Sequence, residues 1–520
     1  MLRNVPVYGG LIAALATIAT AEAAPFTCPK VGGDLVFALE ANINSLDAQT
    51  TGAVSTRNVV NNIFEPLLSR DDSNRPIPML AQAVSESPDH LSYEFTLRHG
   101  VKFHSGKELT SADVVASFDR YARIGLARSA FDNVDRWDAP DAFTFVVHMK
   151  RPQPTFIDQI SSFSVALLII PAEDRDDPPQ QLKTNGTGPF RLAEFVPGSY
   201  AKLQRFEGYQ PNTQFQDRTG FGGYKQACLN SVTFRIVTEP GARVAGLQTG
   251  ELQGVEDVPT KSVAALKGDK KIVLLPLENW WIQIAFPNVS VAPTSDKNFR
   301  RAVQAVLDMT EIMEAASDGN YRLNVGFQYP TQAGYSDAGK ETYNLHDPAL
   351  AKKYLAQSGY HGEPVILLTN HELLPMYNSA VVMAEEMKSI GIDAQLLVVD
   401  WPTSSQMALR GDTGWNFFFT GYGTPVASGE LDAMQFLAPP IAMYVPKTYE
   451  PDLVAAWHDL NSLPDADARH DAYVRMQKIV LDGALAMPFG ALSKMQAVRS
   501  NVKNFQTFRI PRMWNVWLSD

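Results

Sequence analysis

The sequence predicts an α/β protein with more than one lobe, and three observations lead there. At 520 residues the chain is too long for one ordinary domain and suggests two or three lobes. Hydrophobic residues make up 45% and charged residues 19%, the balance of a globular chain with substantial cores. Stretches of period-2 alternation are followed by capped helical patterns, the strand-then-helix order of an α/β fold. A net charge of −11 argues against nucleic acid as the main partner, because phosphate binding needs a basic surface.

The N-terminus is a targeting segment by pattern. Arg3 supplies a positive start, Leu11 to Ala19 is a short apolar run, and Ala21-Glu22-Ala23 offers a small-x-small cleavage site. Residues 1–23 are therefore expected to be a secretory signal peptide, with a core too short to span a bilayer. Nowhere else does the chain carry about eighteen uninterrupted apolar residues, so the mature protein is expected to be soluble and not membrane-inserted. Cys28 and Cys228 are the only cysteines. An even pair in an oxidising compartment suggests a disulfide, with two free thiols as the alternative. Pro25-Phe26-Thr27 before Cys28 is unlike a lipoprotein signal, so a free periplasmic protein is expected rather than a lipid-anchored one.

The most informative stretch is Leu91–Tyr121. Tyr93, Phe95 and Leu97 alternate with Glu94, Thr96 and Arg98, the pattern of a half-buried strand. Gly100 breaks the run, and Val101 and Phe103 lead into the turn His104-Ser105-Gly106-Lys107. Thr110 then caps a helix, with Asp113 in its first turn and Val114, Val115 and Phe118 on its apolar face. This strand–turn–helix unit resembles the signature of the bacterial extracellular solute-binding proteins of the peptide/opine/nickel group, family 5. Phe95, Leu97, Arg98, Gly100 to His104, Gly106, Leu109, Thr110, Asp113, Val114 and Ser117 stand in register; Ser111 replaces the usual alanine. The match identifies a family and does not locate a ligand site.

Other segments extend the likeness over almost the whole mature chain. Asp34 to Ala38 reads as the first strand, Asn44 to Asp47 as a turn, and Thr56 to Ser69 as a helix ending near Glu65-Pro66-Leu67. Ala142 to Lys150 reads as a further strand. Gly186-Thr187-Gly188-Pro189-Phe190 is half a dinucleotide fingerprint, but Arg191 replaces its last glycine and Pro189 opposes a tight helix start. It resembles instead the family's crossing motif. Ala245 to Leu252, Asp296 to Asp308 and Asp347 to Tyr360 resemble family helices, and Met383 to Val399 reads as helix, turn and strand.

Catalytic patterns are missing from the sequence. His371-Glu372 lacks a second histidine at zinc-protease spacing, with Pro375 inside the helix such a site needs. There is no G-x-S-x-G elbow, no P-loop and no cysteine pair at metal spacing. No enzyme activity, metal or cofactor is expected.

Capture between lobes needs aromatic walls, a few polar anchors and a hinge. Trp280 and Trp281 are adjacent, so in a regular strand they point to opposite faces and one of them lines a cleft. In Asn416 to Gly429, three phenylalanines form a buried strand that runs into Thr420, Gly421, Tyr422, Gly423 and Thr424. The resemblance makes this the ligand-recognition loop, where glycines let backbone groups approach a solute. Two departures stand against a free dipeptide held by both ends. Pro425 occupies the place of the aspartate that peptide-binding members use for the ammonium group. Glu372 to Pro375 offers no arginine for the carboxylate. Arg410, His371 and Arg243 remain as candidate anion partners.

The resemblance implies a two-lobed periplasmic-binding-protein fold, type II, large cluster C, with an extra α/β subdomain. Residues 32–75, 185–270 and 490–520 are expected to form lobe I, 76–184 the extra subdomain, and 271–489 lobe II. The implied partners are a small-molecule solute (peptide, opine or related) and the permease subunits of an ABC importer; a monomer is expected. A periplasmic chaperone or sensor partner on the same fold, or a secreted hydrolase, are the alternatives.

Overall fold

A computed structural model of the chain describes residues 24–163, 166–332, 334–410, 413–422, 430–434, 437 and 450–520. The expected signal peptide and the positions Gly423, Thr424 and Pro425 lie outside the described residues. Cys28 and Cys228 form a disulfide that closes a separation of 200 residues.

An eleven-stranded mixed sheet runs through the molecule. At one end Asp34–Leu39 lies parallel to Ser231–Ile236 and Gly254–Val255, flanked by the antiparallel strands Tyr200–Arg205 and Phe190–Val196. At the other end Val365–Thr369 lies parallel to Ala394–Val398 and to Phe417–Tyr422. Two long antiparallel strands, Ile272–Pro287 and Met487–Arg499, join the ends. Their first part, Ile272–Leu277 against Lys494–Arg499, belongs with Gly254–Val255; their second, Trp281–Ala285 against Met487–Leu492, lies beside Phe417–Tyr422.

Separate cores form on either side of this join. Phe37, Phe190, Leu203, Val232, Phe234 and Val516 make one. Beyond the join, Trp281, Leu367, Met383 and Phe417 to Phe419 belong to a second core, and Ile282, Ile284, Phe286, Tyr329 and Met476 to a third. Burying each such side chain contributes roughly 1.5–3 kcal/mol, enough for each half to hold its own core. The molecule is an α/β protein of two lobes.

The segment Leu91–Tyr121 builds an additional unit. Ala81–Glu86, Ser92–Leu97, Thr144–Met149 and Val134–Asp141 form an antiparallel sheet in that order, and helix Ser111–Ile124 covers it. Tyr93, Phe95, Leu97, Phe118 and Phe145 are its core. At the helix start the Asp113 carboxylate accepts the Thr110 N–H (2.9 Å) and hydroxyl (3.1 Å), closing the expected capping box. Its other oxygen accepts Lys107 Nζ (2.6 Å) and the Ala172 N–H (2.8 Å), which ties helix, turn and a distant loop together.

The family-like motifs meet one another here. Gly186 N–H donates to His104 Nδ1 (3.3 Å), and His104 Nε2 donates to the Gly188 carbonyl (3.0 Å). Burial holds the imidazole below its ordinary pKa, in keeping with this neutral tautomer. A side chain at Gly186 would meet the Ile63 carbonyl at 2.1 Å, so only glycine lets the crossing segment lie this close. Gly188 and Phe190 donate to the carbonyls of Ile63 and Asn62. Those carbonyls are thereby taken, and the helix expected over 56–69 spans only Val54–Val60. Glu65 is fully buried beneath this junction, where it accepts Thr187 Oγ1 (3.1 Å) and Tyr209 Oη (2.9 Å) and pairs with Lys225 (3.3 Å). The sequence motifs thus carry architecture.

Candidate functional site

The two joining strands lose their regular ladder where they pass from one lobe to the other. The pairing jumps from Leu277–Lys494 to Trp281–Leu492, and Asn279 adopts a left-handed conformation (φ 53°). Three residues, Glu278 to Trp280, stand opposite Ser493 alone. Such a bulge bends the strand and re-aims its side chains. Its effect on the two tryptophans is direct: strict alternation would separate them, yet their rings stack with centroids 3.6 Å apart. Alternation holds only where the ladder is regular, and the pairing of these strands shifts a second time between Gln283 and Ile284. Trp280 and Trp281 are both buried, so the expectation of opposite faces is corrected.

Their surroundings differ nonetheless. Trp281 packs into the second lobe, and its indole N–H donates to Gln283 Oε1 (3.2 Å). Gly421 lies directly against it: a Cβ there would sit 2.1 Å from the Trp281 ring. What closely approaches this glycine is therefore the tryptophan. Trp280 faces the seam between the lobes. It lines a cavity of about 120 Å³ together with Glu40, Arg243 and Asp257 from one side and Glu372 and Asn378 from the other. The Lys494 ammonium sits 3.7 Å above its ring centroid, a close cation–π contact.

Lys494 organises the charges of the seam. It pairs with Glu40 (2.5 Å) and Glu256 (3.4 Å), and Glu256 also accepts Asn58 Nδ2 (2.9 Å). Burial pushes the Glu40 carboxyl up to about 7, against the pull of Lys494 and helped by Glu256 and Asp257. Burial likewise raises Asp257, while Lys494 and Arg243 oppose it. Across the seam, Glu372 accepts Asn42 Nδ2 (2.6 Å) through one oxygen and the Trp401 N–H (2.5 Å) through the other. Gln406 Nε2 donates to Gln180 Oε1 (3.4 Å), and Thr155 Oγ1 to the Asn461 carbonyl (2.9 Å). A larger cavity, about 840 Å³, lies between the additional unit and helix Pro451–Ser462 and is lined by Pro152, Gln159, Val454 and Trp457 among others.

The structure gathers most of the residues expected from sequence. Ile282 pairs with Tyr422, Gln283 with Gly421 and Ile284 with Thr420, so both groups occupy adjacent strands. Thr420 is buried. Arg410 stands apart: it is exposed at the end of helix Trp401–Arg410 and donates to Gln406 (3.4 Å). His371 is exposed against the Tyr377 ring. Arg243 is buried, with its donors spent on the carbonyls of Val237, Thr238 and Asp257 and its charge near Asp257 (3.6 Å). Sequence reading missed Glu40, Glu256 and Lys494. A signal existed for Lys494, a lone cation in the apolar run from Met487 to Val498. Among the described residues no cluster of three or more His, Cys, Asp or Glu is arranged to hold a metal ion. No described helix is long and apolar enough to cross a membrane.

Comparison with known proteins agrees with this architecture. The chain is 26% identical over 500 residues to a probable peptide ABC transporter periplasmic-binding protein of Sinorhizobium fredii (strain NBRC 101917 / NGR234), covering 91% of this chain and 92% of that one. It is 25% identical over 464 residues to the glutathione-binding protein GsiB of Salmonella paratyphi A (strain ATCC 9150 / SARB42), covering 86% of each. The fold is shared with the periplasmic binding protein AgaA of A. tumefaciens R10 in complex with agropinic acid (TM-score 0.81, 23% identity, 94% of this chain and 99% of that one). It is shared equally with a Helicobacter pylori binding protein, DppA, in complex with the peptide STSA (TM-score 0.81, 20% identity, 94% and 99%). The model of the bacterial extracellular solute-binding proteins, family 5, matches residues 75–440, and the chain belongs to that family.

Proposed function

We propose that this protein takes a small solute, a peptide, an opine or a related compound, between its lobes in the periplasm and delivers it to the permease of an ABC importer. The observation that carries this reading is the join: two strands pass between independently cored lobes and lose their ladder at Glu278–Trp280, beside a polar, aromatic-lined seam. A ligand that touches both lobes favours the closed form by its differential affinity for that form. In this reading lobe I comprises 32–75, 185–270 and 490–520, lobe II 271–489 and 76–184 the additional subdomain, with the two joining strands passing from one lobe to the other at Glu278–Trp280 and Ser493 rather than at 271 and 490. Residues 1–23 direct export and are removed. Trp280, with the strand Thr420-Gly421-Tyr422 behind it, forms the aromatic side of the solute site. The named relatives bind peptides or glutathione, which supports the substrate class.

Small-angle scattering with a panel of di- to tetrapeptides and opines tests the reading. At least one compound is expected to reduce the radius of gyration and to change tryptophan fluorescence in the same titration. A panel that leaves both unchanged rejects the reading.

A further inference from the structure

A third cavity lies where the first lobe meets the additional unit, and it shares no lining residue with the seam cavity. It measures about 20 Å³ and is lined by Arg70, Lys225, Ser69, Ser162, Phe163 and Phe221 among others. Arg70 ends strand Leu68–Arg70, and Ser162 follows helix Phe156–Ile160, whose Phe156 and Ile160 pack into the additional unit. Both are deeply buried, at 4% and 2% exposure. Arg70 Nε and Ser162 Oγ have no hydrogen-bond partner among the described residues. The rest of the Arg70 guanidinium is spent: Nη1 donates to the Asn74 carbonyl (2.7 Å) and pairs with the Asp158 carboxylate (3.2 Å), while Nη2 donates to the Asp158 carbonyl. Lys225 is buried as well, and its ammonium pairs with Glu65 (3.3 Å) and lies 4.6 Å from the Trp514 ring centroid. A third cation, the Arg57 guanidinium, stands 4.8 Å over the Phe163 ring in the cavity wall. No carboxylate is among the described lining residues.

We propose that this cavity is a structural anion site, holding one small monovalent anion of chloride size among Arg70 Nε, the Lys225 ammonium and the Ser162 hydroxyl. Size selects the class of guest. A void of about 10–15 Å³ takes one water-sized particle, so this one has no room for a carboxylate, a phosphate or the transported solute. The donor set selects the charge. Each of the three groups offers a hydrogen, and a water among them would still need acceptors for two hydrogens of its own, whereas a halide needs none. Hydrogen bonds from charged donors to an anion are the strong ones, and a buried donor left empty costs free energy that the anion recovers. Asp158 and Glu65 answer part of the cationic charge from outside the lining, which favours one negative charge over two. Arg70 and Lys225 belong to the first lobe as divided above and Ser162 to the additional subdomain. The anion therefore fastens one to the other, whatever solute the protein carries.

The experiment uses the mature full-length chain, as wild type and as Ser162→Ala, which removes one anion ligand and leaves both ion pairs in place. Wild-type crystals grown in sodium bromide are expected to show an anomalous-scattering peak among Arg70 Nε, Lys225 Nζ and Ser162 Oγ. In solution, sodium chloride is exchanged at constant ionic strength for sodium gluconate, whose anion is too large for the cavity. Chloride is expected to raise the wild-type melting temperature by about 1–2 °C over gluconate. Ser162→Ala is expected to need about 10-fold more chloride for the same rise. Density at the site without an anomalous signal in bromide means a water, and overturns the assignment. So does a chloride effect of equal size at equal concentration in both proteins, which is a general salt effect, and so does a wild type that melts alike in the two salts. None of these readouts involves the solute, so solute capture stands or falls separately.

Discussion

Arg120 and Arg509 are both buried, and they live in opposite chemical surroundings. Arg120, on the helix of the additional subdomain, is paired with the equally buried Asp47 through both terminal nitrogens (2.6 and 3.2 Å). It also donates to Gln49 Oε1 (2.6 Å) and to the carbonyls of Asp177 and Pro178. Every direction its charge faces is answered from within the chain. For Arg509, Nη1 has no hydrogen-bond partner among the described residues. The first arrangement locks the turn at 44–47 against a helix more than seventy positions away. The second leaves one buried donor without a partner among the described residues. Inside a folded protein, a fully answered charge of this kind marks architecture.

Four substitutions can break or sharpen that contrast. The largest effect is expected for Arg120→Met, which strands Asp47 without its counter-charge and should cost about 3–5 kcal/mol of unfolding free energy in urea titration. A loss below about 1 kcal/mol would show that the network does not hold the subdomain in place. Next, Gly421→Val forces a side chain into the Trp281 ring, with about 1–3 kcal/mol lost and a shifted tryptophan emission spectrum. An unchanged spectrum would mean that the strand and the tryptophan are not in contact.

A smaller effect depends on pH. Burial raises the Glu40 carboxyl from its ordinary value of 4.5 to about 7 in the folded protein. Between these values the native state retains a proton that the unfolded chain has released, so stability falls as pH rises through that window. Glu40→Gln should flatten this part of the stability–pH curve, gaining about 2 kcal/mol over wild type at pH 8 relative to pH 5. A curve that stays parallel to the wild type would remove Glu40 from the account. The smallest change in stability is expected for Arg509→Met, within about 1 kcal/mol of the wild type or above it. If it destabilises as much as Arg120→Met, the two arginines are alike and the contrast fails.

Much of the fold was legible because its instructions are local. Strand Ser92–Leu97, the capping box at Thr110 and Asp113, and the glycine stop at Gly250 follow from short patterns that neighbours alone can satisfy. The disulfide followed from an even count of cysteines in an exported chain. The seam was less legible. Alternation misplaced Trp280 because the bulge that cancels it depends on how Met487–Arg499 pairs, which lies two hundred residues away in the sequence. The helix expected to reach Glu65 stops early because a distant segment claims its carbonyls. Arg509 could not be distinguished from any other arginine in the sequence, since what sets it apart is the company it lacks. Its one local hint is a cation set among Phe508, Ile510 and Pro511.

The interruption at Glu278–Trp280 also has a mechanical meaning. Hydrogen-bonded rungs on either side resist twisting, so compliance concentrates in the few residues where rungs are missing. Opening should then be a pivot about one short axis, and its amplitude should respond to residue 279 far more than to the length of any surface loop. Lys494 and Trp280 are in contact beside that axis, so on such a swing they would travel little while groups at the rim would move most. On the proposed closure the pivot would keep its cation–aromatic contact, leaving discrimination between solutes to the parts that approach each other.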